Sequence, residues 1–247
     1  MTTILVPFHQ DERVEIPVRA DITVEPDFPG GDAWQQVTAL CAATAAAVAP
    51  VVARGEVPVV FSGDCLVGGG VVAGAQRAGA DPAIVWFDAH GDVHTLETST
   101  SGYLGGLSLR VVNGAHRERY ADGFGLRPIG PERALLVDAR DLDPAEAEYL
   151  ATSATGRIPV DQVAAGTVPP GSLVLHVDVD VVDPAELPGL RFPVPDGPSV
   201  ADVLAACGRV LATGRVVAVH VSCPWWVATD PEHHATRERL VAGFADL

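Results

Sequence analysis

"AIVWFDAHGD", residues 83–92, is the stretch on which the fold turns. Its first five residues are apolar without interruption, the pattern of a strand covered on both faces. Acids and a histidine begin where that strand must end. "SLVLHVDVD", residues 172–180, repeats the arrangement: an apolar run closing on aspartates. Working outward, apolar runs of strand length fall at 3–7, 57–62, 83–88, 133–138, 172–178 and 215–221. Helical patterns lie between and beyond them, at 33–53, 67–79, 104–113, 144–152, 199–213 and 231–243. Asp32 suits the N-cap of the first helix. Pro144, following Asp143, suits the first turn of another. Strands alternating with helices predict an α/β fold around a mostly parallel sheet. No repeat, low-complexity tract or linker divides the chain, so one domain over residues 1–247 is expected.

Composition narrows the function. With 48% hydrophobic residues and a mean hydropathy of +0.24, the 247-residue chain reads as globular. Its formal net charge is -16 and it contains no lysine, which argues against nucleic acid or anionic membrane as a partner. Part of that negative charge can serve to hold cations. No apolar run reaches the ~20 residues of a bilayer span, and "MTTILVPFHQDER" lacks the features of a secretory leader. A cytoplasmic location is therefore expected. Cys41, Cys65, Cys207 and Cys223 form no C-x-x-C pair and read as free thiols. Cys41 and Cys207 sit in alanine-rich helical runs, as core residues do.

The strand ends carry the chemistry. Residues i, i+2 and i+4 of an extended segment point the same way, so Asp88, His90 and Asp92 can converge, as can Asp178 and Asp180. The carboxyl ends of parallel strands border the crevice where such sheets bind ligands. Four carboxylates in one crevice repel unless they hold protons or share cations. Four aspartates and a histidine form a hard, oxygen-rich donor set that suits Mn²⁺ better than a structural zinc, and two ions can share bridging carboxylates. A third strand end, "FSGDCLVGGG" at 61–70, presents Cys65. Asp183 reads as a loop buttress.

In order, "SGDC", "DAHGD" and "DVDVVDP" resemble the three metal motifs of the ureohydrolase family, which includes arginase, agmatinase and formimidoylglutamase. The resemblance implies a three-layer α/β/α sandwich, arginase-like, and a pair of Mn²⁺ ions that activate water for attack on a guanidinium carbon. It implies Asp88 and Asp178 as bridging ligands, Asp92 completing one site, and His90 and Asp180 completing the other. Asp88, His90 and Asp92 become the expected catalytic group. Cys65 falls where the family usually has a histidine ligand, and a thiolate ligand is expected there. Family members are often trimers or larger, which leaves a homo-oligomer open.

Two further segments resemble arginase. "TSTSGYLGG", 98–106, is similar to the loop that binds the substrate α-carboxylate, with His94, Ser101 and Tyr103 at the matching positions. "DARDLDPAE", 138–146, is similar to the segment that holds the α-ammonium, through Asp143 and Glu146. At the reactive end the chain departs from the pattern. Gly105 replaces the loop histidine, and His220 aligns with the acid that grips the guanidinium. An amino-acid tail kept while the guanidinium grip is lost points to a less basic guanidine, such as Nω-hydroxy-L-arginine, giving ornithine and hydroxyurea. Alternatives are an ordinary ureohydrolase acting on another guanidino substrate and a metal-binding pseudoenzyme. His116, His233 and His234 read as solvated, His176 as a core histidine or a donor behind the site, Trp225 and Trp226 as core edge or lid, and 189–199 as a pocket rim.

Overall fold

The computed structural model describes residues 1–247. In chain order the elements are β1 (Thr2–Val6), β2 (Phe8–His9), β3 (Glu12–Arg13), β4 (Ile22–Thr23), α1 (Ala33–Ala53), β5 (Pro58–Ser62), α2 (Val67–Arg77) and β6 (Ala83–Asp88). They continue with α3 (Ser108–Val112), α4 (Ala121–Phe124), β7 (Ala134–Asp138), α5 (Pro144–Thr152), β8 (Gly156–Ile158), β9 (Leu173–Asp178), α6 (Val200–Leu211), β10 (Val216–Ser222) and α7 (Pro231–Ala245). Eight strands form one sheet in the order β4-β1-β5-β10-β9-β6-β7-β8, and every pairing within it is parallel. The remaining two, β2 and β3, make a small antiparallel hairpin.

Each strand splits its apolar residues between the two faces. On one face Ile4, Val60, Ile84, Trp86, Leu136, Val174 and Ala218 pack with α1 to α4. On the other, Val59, Phe61, Val85, Phe87, Leu175, Val177, Val219 and Val221 pack with α6 and α7. The result is the expected three-layer α/β/α arrangement. Strand order explains how distant segments meet. The late strands β10 and β9 insert between β5 and β6, so the carboxyl ends of β5, β10, β9 and β6 follow one another along one edge of the sheet.

All six expected strands and the long helices are present, with ends shifted by a few residues. The 104–113 helix is broken into a 3₁₀ turn at Gly105–Leu107 followed by α3. The edge strands β4 and β8 are two and three residues long, too short to show a hydrophobic period. Asp32 caps α1 in a capping box with Gln35, each side chain accepting from the other residue's backbone N–H. One expectation needs correction: α1 is 21 residues long with a mean hydropathy of 1.7, so it does reach spanning length. Its stripe of Val37, Leu40, Cys41, Thr44, Ala45 and Val48 is buried, and α2 is its main neighbour. That apolarity is spent on an internal helix–helix contact.

Candidate metal centre and substrate cavity

Three strand ends share one local device. Asp64, Asp88 and Asp178 each accept, through Oδ1, the backbone N–H two residues on: Leu66 at 2.8 Å, His90 at 2.7 Å and Asp180 at 2.9 Å. This turn, in which a short acid mimics the backbone, ends each strand sharply. It also corrects the extended geometry expected for residues 88–92 and 178–180. The strand stops at Asp88, and Asp92 has a left-handed φ of 53°. After Asp178 the chain enters a 3₁₀ turn at Val179–Val181. The acids converge because the chain coils at the strand ends.

With Oδ1 fixed, the second oxygens of Asp88 and Asp178 face other groups. Trp86 Nε1 donates to Asp88 Oδ2 at 3.0 Å, and the Cys65 thiol donates to Asp178 Oδ2 at 2.7 Å. His90 Nδ1 lies 3.1 Å from Asp180 Oδ2 and 3.4 Å from Asp88 Oδ1. Asp92 Oδ2 is buried without a partner. Burial, reinforced by neighbouring acids, raises the pKa of Asp92 and Asp178, and that of Asp180 to about 6. Burial opposes charge on His90, yet hydrogen bonds and charges from Asp180 and Asp88 overcome it and raise its pKa to about 12. Cys65 is pushed well up by burial and then by Asp178, Asp92 and Asp88, consistent with its role here as a thiol donor. Negative charge is thus crowded on the floor: burial and mutual repulsion favour the neutral acids, while Asp180 and Asp88 favour charge on His90. Two donor groups are compact enough for an ion, each with ligand atoms mutually within 4.8 Å: Asp88 with His90 and Asp180, and Cys65 with Asp88 and His176. The donor chemistry and the unpaired Asp92 oxygen fit a site for divalent cations.

Above this floor is a cavity of about 350 Å³, lined by Cys65, Asp88, His90, Asp92, Asp178 and Asp180 below and by His94, Ser101, Tyr103, Asp143 and Glu146 toward the rim. His94 Nε2 lies 3.0 Å from Asp143 Oδ2, and its Nδ1 is 3.1 Å from Thr98 Oγ1. Glu146 is buried, and both its oxygens accept backbone N–H groups, from Val93 at 3.2 Å and Asp143 at 3.1 Å. It therefore ties the start of α5 to the 92–94 segment. Ser101 is exposed, and its Oγ accepts the N–H of Tyr103 at 3.2 Å. Phe192 and Asp141 also line the cavity and were not singled out individually from the sequence.

One expected contact comes out differently, and the hydroxyl of a second residue, Tyr103, already has a partner. His220 does not line the cavity; it is fully buried behind the floor, 2.7 Å from Ser62 Oγ and 2.8 Å from His176 Nδ1. It lies two residues before the end of β10, inside the sheet layer, so its ring faces the core. The Tyr103 hydroxyl lies 2.8 Å from His9 Nε2, a partner outside the cavity. Its ring occupies the space a side chain at position 105 would need, since a Cβ on Gly105 would fall 2.3 Å from Tyr103 Cε1. His116 is half-buried, and its Nε2 accepts the N–H of Leu96 at 3.0 Å, steadying the rim loop. His233 and His234 lie at the start of α7, away from the cavity. Trp225 is core and Trp226 is exposed against Arg191, so neither forms a cavity wall. Asp183 does buttress its loop, accepting N–H groups from Ala185 and Gly197.

Taken together, these features define an α/β protein with a carboxylate-rich, cation-seeking crevice at the carboxyl edge of a parallel sheet. A sequence model of the arginase family matches residues 6–223. The chain belongs to the arginase family. It is 32% identical to an arginase of Bacillus caldovelox over 62% of this chain and 56% of that protein. It is 31% identical to an N(omega)-hydroxy-L-arginine amidinohydrolase of Streptomyces lavendulae over 66% of this chain and 59% of that protein. These sequence matches thus span little more than half the length of the curated relatives. The solved structure of the Bacillus caldovelox arginase superimposes with a TM-score of 0.81 at 22% identity, covering 99% of this chain and 98% of the other, a likeness of fold.

Proposed function

We propose that this chain is a single-domain binuclear manganese amidinohydrolase that cleaves the guanidino group of an arginine-like amino acid, with Nω-hydroxy-L-arginine as its substrate. The observation that carries the reading is the joining of the two halves of such a site in one cavity: an acid-crowded floor and, above it, a rim bearing His94, Ser101, Asp143 and Glu146. Asp88 and Asp178 would each contribute to both ions, Cys65 and Asp92 to one, and His90 and Asp180 to the other. Bound there, two Mn²⁺ ions supply the lowered water pKa and the charge stabilisation that attack on a guanidine carbon requires. The protein's own part is placement. Asp143 and Glu146 set negative charge where an α-ammonium binds, while His94 and Ser101 offer donors to an α-carboxylate. Water adds to the guanidine carbon, the C–N bond to the side-chain nitrogen breaks, and that nitrogen leaves protonated as the amine of ornithine.

The choice of substrate rests on what faces the reactive end. On the β10 side the cavity is lined by Pro224, and no acid there is free to pair with a fully charged guanidinium. Losing such a charge-assisted contact costs roughly 1.5–3 kcal/mol, a penalty that falls on arginine more than on its less basic N-hydroxy form. The test is a panel of guanidino compounds with the Mn²⁺-loaded protein, scored for urea or hydroxyurea. Hydroxyurea released from Nω-hydroxy-L-arginine faster than urea from arginine is the expected result. The reverse order assigns ordinary arginase activity, and absence of any turnover with both ions bound makes the chain a pseudoenzyme.

A further inference from the structure

Behind the floor runs a buried chain of hydrogen bonds whose proton positions can be worked out from one end. The Asp64 carbonyl can only accept, so Ser62 donates to it, at 3.0 Å. With its hydrogen directed to that carbonyl, Ser62 Oγ accepts a hydrogen bond from His220 Nε2, 2.7 Å away, beside the Asp64 N–H at 3.4 Å. No acid contacts His220, and an unpaired imidazolium buried there is unfavourable, so its Nδ1 carries no hydrogen. That nitrogen in turn accepts from His176 Nδ1, at 2.8 Å. His176 is left with a bare lone pair on Nε2. The residue is fully buried, and this atom has no partner.

The surroundings hold the ring in place. His176 pairs across the sheet with Trp86 on one side and His220 on the other. Trp86 stacks on it with ring centroids 3.4 Å apart and planes 15° apart. Gly68 of α2 covers the pair, and a Cβ there would sit 3.2 Å from His176 Nδ1 and 3.3 Å from His220 Nδ1. His176 is also two residues before Asp178 on β9, so both side chains leave the same face of the strand. One ring nitrogen of His176 lies within 4.8 Å of both Cys65 Sγ and an Asp88 oxygen.

We propose that His176 Nε2 is a ligand of the ion held between Cys65 and Asp88, supplying from β9 an imidazole nitrogen that position 65 does not. This inference rests on the reading of the floor as a metal centre. The relay explains why His220 and Ser62 are polar at all: a metal-bound histidine donates its other N–H to an acceptor that fixes ring and tautomer. Here that acceptor is His220, and Ser62 fixes His220 in turn. Cys65 and His176 together would make this ion's surroundings softer than those of the ion at His90 and Asp180.

The test uses the full-length protein labelled with ¹⁵N-histidine and titrated with Zn²⁺ as a diamagnetic stand-in, with Mn²⁺ binding measured in parallel by calorimetry. In the metal-free protein the His176 imidazole is expected to show Nδ1 protonated and Nε2 bare. On titration the Nε2 resonance should move to the position of a metal-bound nitrogen. His176→Asn, which assigns the resonance, should weaken one of the two ions by roughly 10–100-fold or more, the range for losing a partner of the site, and leave the other near wild type. If both ions bind while the His176 signals stay in place, the inference is overturned and the metal centre stands. If no ion binds, the metal-centre reading fails and the inference fails with it. The wild-type titration decides even if the variant does not fold.

Discussion

The floor and the rim of the cavity are both rich in acids and histidines, yet they are built in opposite ways. On the floor, Asp88 and Asp178 use one oxygen to end a strand and the other to accept from Trp86 and Cys65, yet no cationic side chain but His90 offsets the crowded acids, and Asp92 keeps one buried oxygen unpaired. The rim satisfies itself. Glu146 spends both oxygens on backbone N–H groups, and His94 has a partner at each ring nitrogen. Unmet demand for positive charge is therefore concentrated on the strand ends, which the sheet holds in fixed geometry. A loop that already has its own hydrogen bonds needs from a substrate only modest rearrangement. The difference predicts that floor substitutions abolish function while rim substitutions tune it.

The sharpest way to break that comparison is to remove the charge of a floor acid proposed to serve both ions. Asp178→Asn keeps the size and the Oδ1 turn to Asp180 but removes the charge. Metal binding should fall by more than the roughly 10–100-fold that loss of an outer hydrogen-bond partner causes, and turnover should vanish with it. Metal analysis after gel filtration, alongside activity, checks this; two ions retained per chain would refute it. The metal-free protein supplies the next largest effect. Asp180 has its pKa raised from 3.8 to about 6, with Asp92 and Asp178 also raised. In that window the folded state binds more protons than the unfolded one, so these groups make stability fall as pH rises. A salt-bridged aspartate does the opposite. Chelator-treated protein should lose this contribution between about pH 4 and pH 6, and added Mn²⁺ should restore stability most at the upper end. Thermal melts across that range with and without Mn²⁺ measure it, and a metal effect independent of pH would contradict it.

Much of the floor could be read before the structure because apolar runs closing on acids are a strong local pattern. The parallel sheet followed from the alternation of strands and helices. The means of convergence did not follow, since i, i+2 spacing is shared by an extended strand and by the turn these aspartates make. His220 was misplaced for a related reason. Alignment to a motif locates a residue along a strand, but its facing depends on register, and a one-residue shift moves a side chain to the other face. His176 reads from the sequence as either a core histidine or a donor behind the site; which of its nitrogens is bare follows only from Ser62 and His220, residues far apart in sequence. The edge strands β4 and β8 were missed because segments of two or three residues carry no period.

On the rim, Asp143→Asn should leave both ions and kcat largely intact. Asp143 is 61% exposed at its side chain, so water already weakens its grip on an ammonium. A rise in KM of about tenfold, near 1.4 kcal/mol, is expected. A matching fall in kcat would place Asp143 with the floor and blur the distinction between the two regions.

The last effect falls on stability and not on turnover, and it concerns Gly105, where the rim meets the floor. A methyl group at this position would lie 2.3 Å from Cε1 and 2.4 Å from the hydroxyl of Tyr103. The ring cannot yield freely, because its hydroxyl is bonded to His9 and its face packs on Phe192 at 4.9 Å between centroids. Gly105→Ala should therefore cost about 1–3 kcal/mol, as overpacking does, and lower Tm by about 2–4 °C per kcal/mol in a chain of this size. The cause can be separated from any backbone effect of the glycine, since Gly105 does not adopt a positive φ. In a Tyr103→Ala background the space is open, and the same Gly105→Ala change should cost almost nothing. Additive melts across that double-mutant cycle would show that the two positions do not share the space; strong coupling would show that Tyr103 fills the room a side chain at 105 would take.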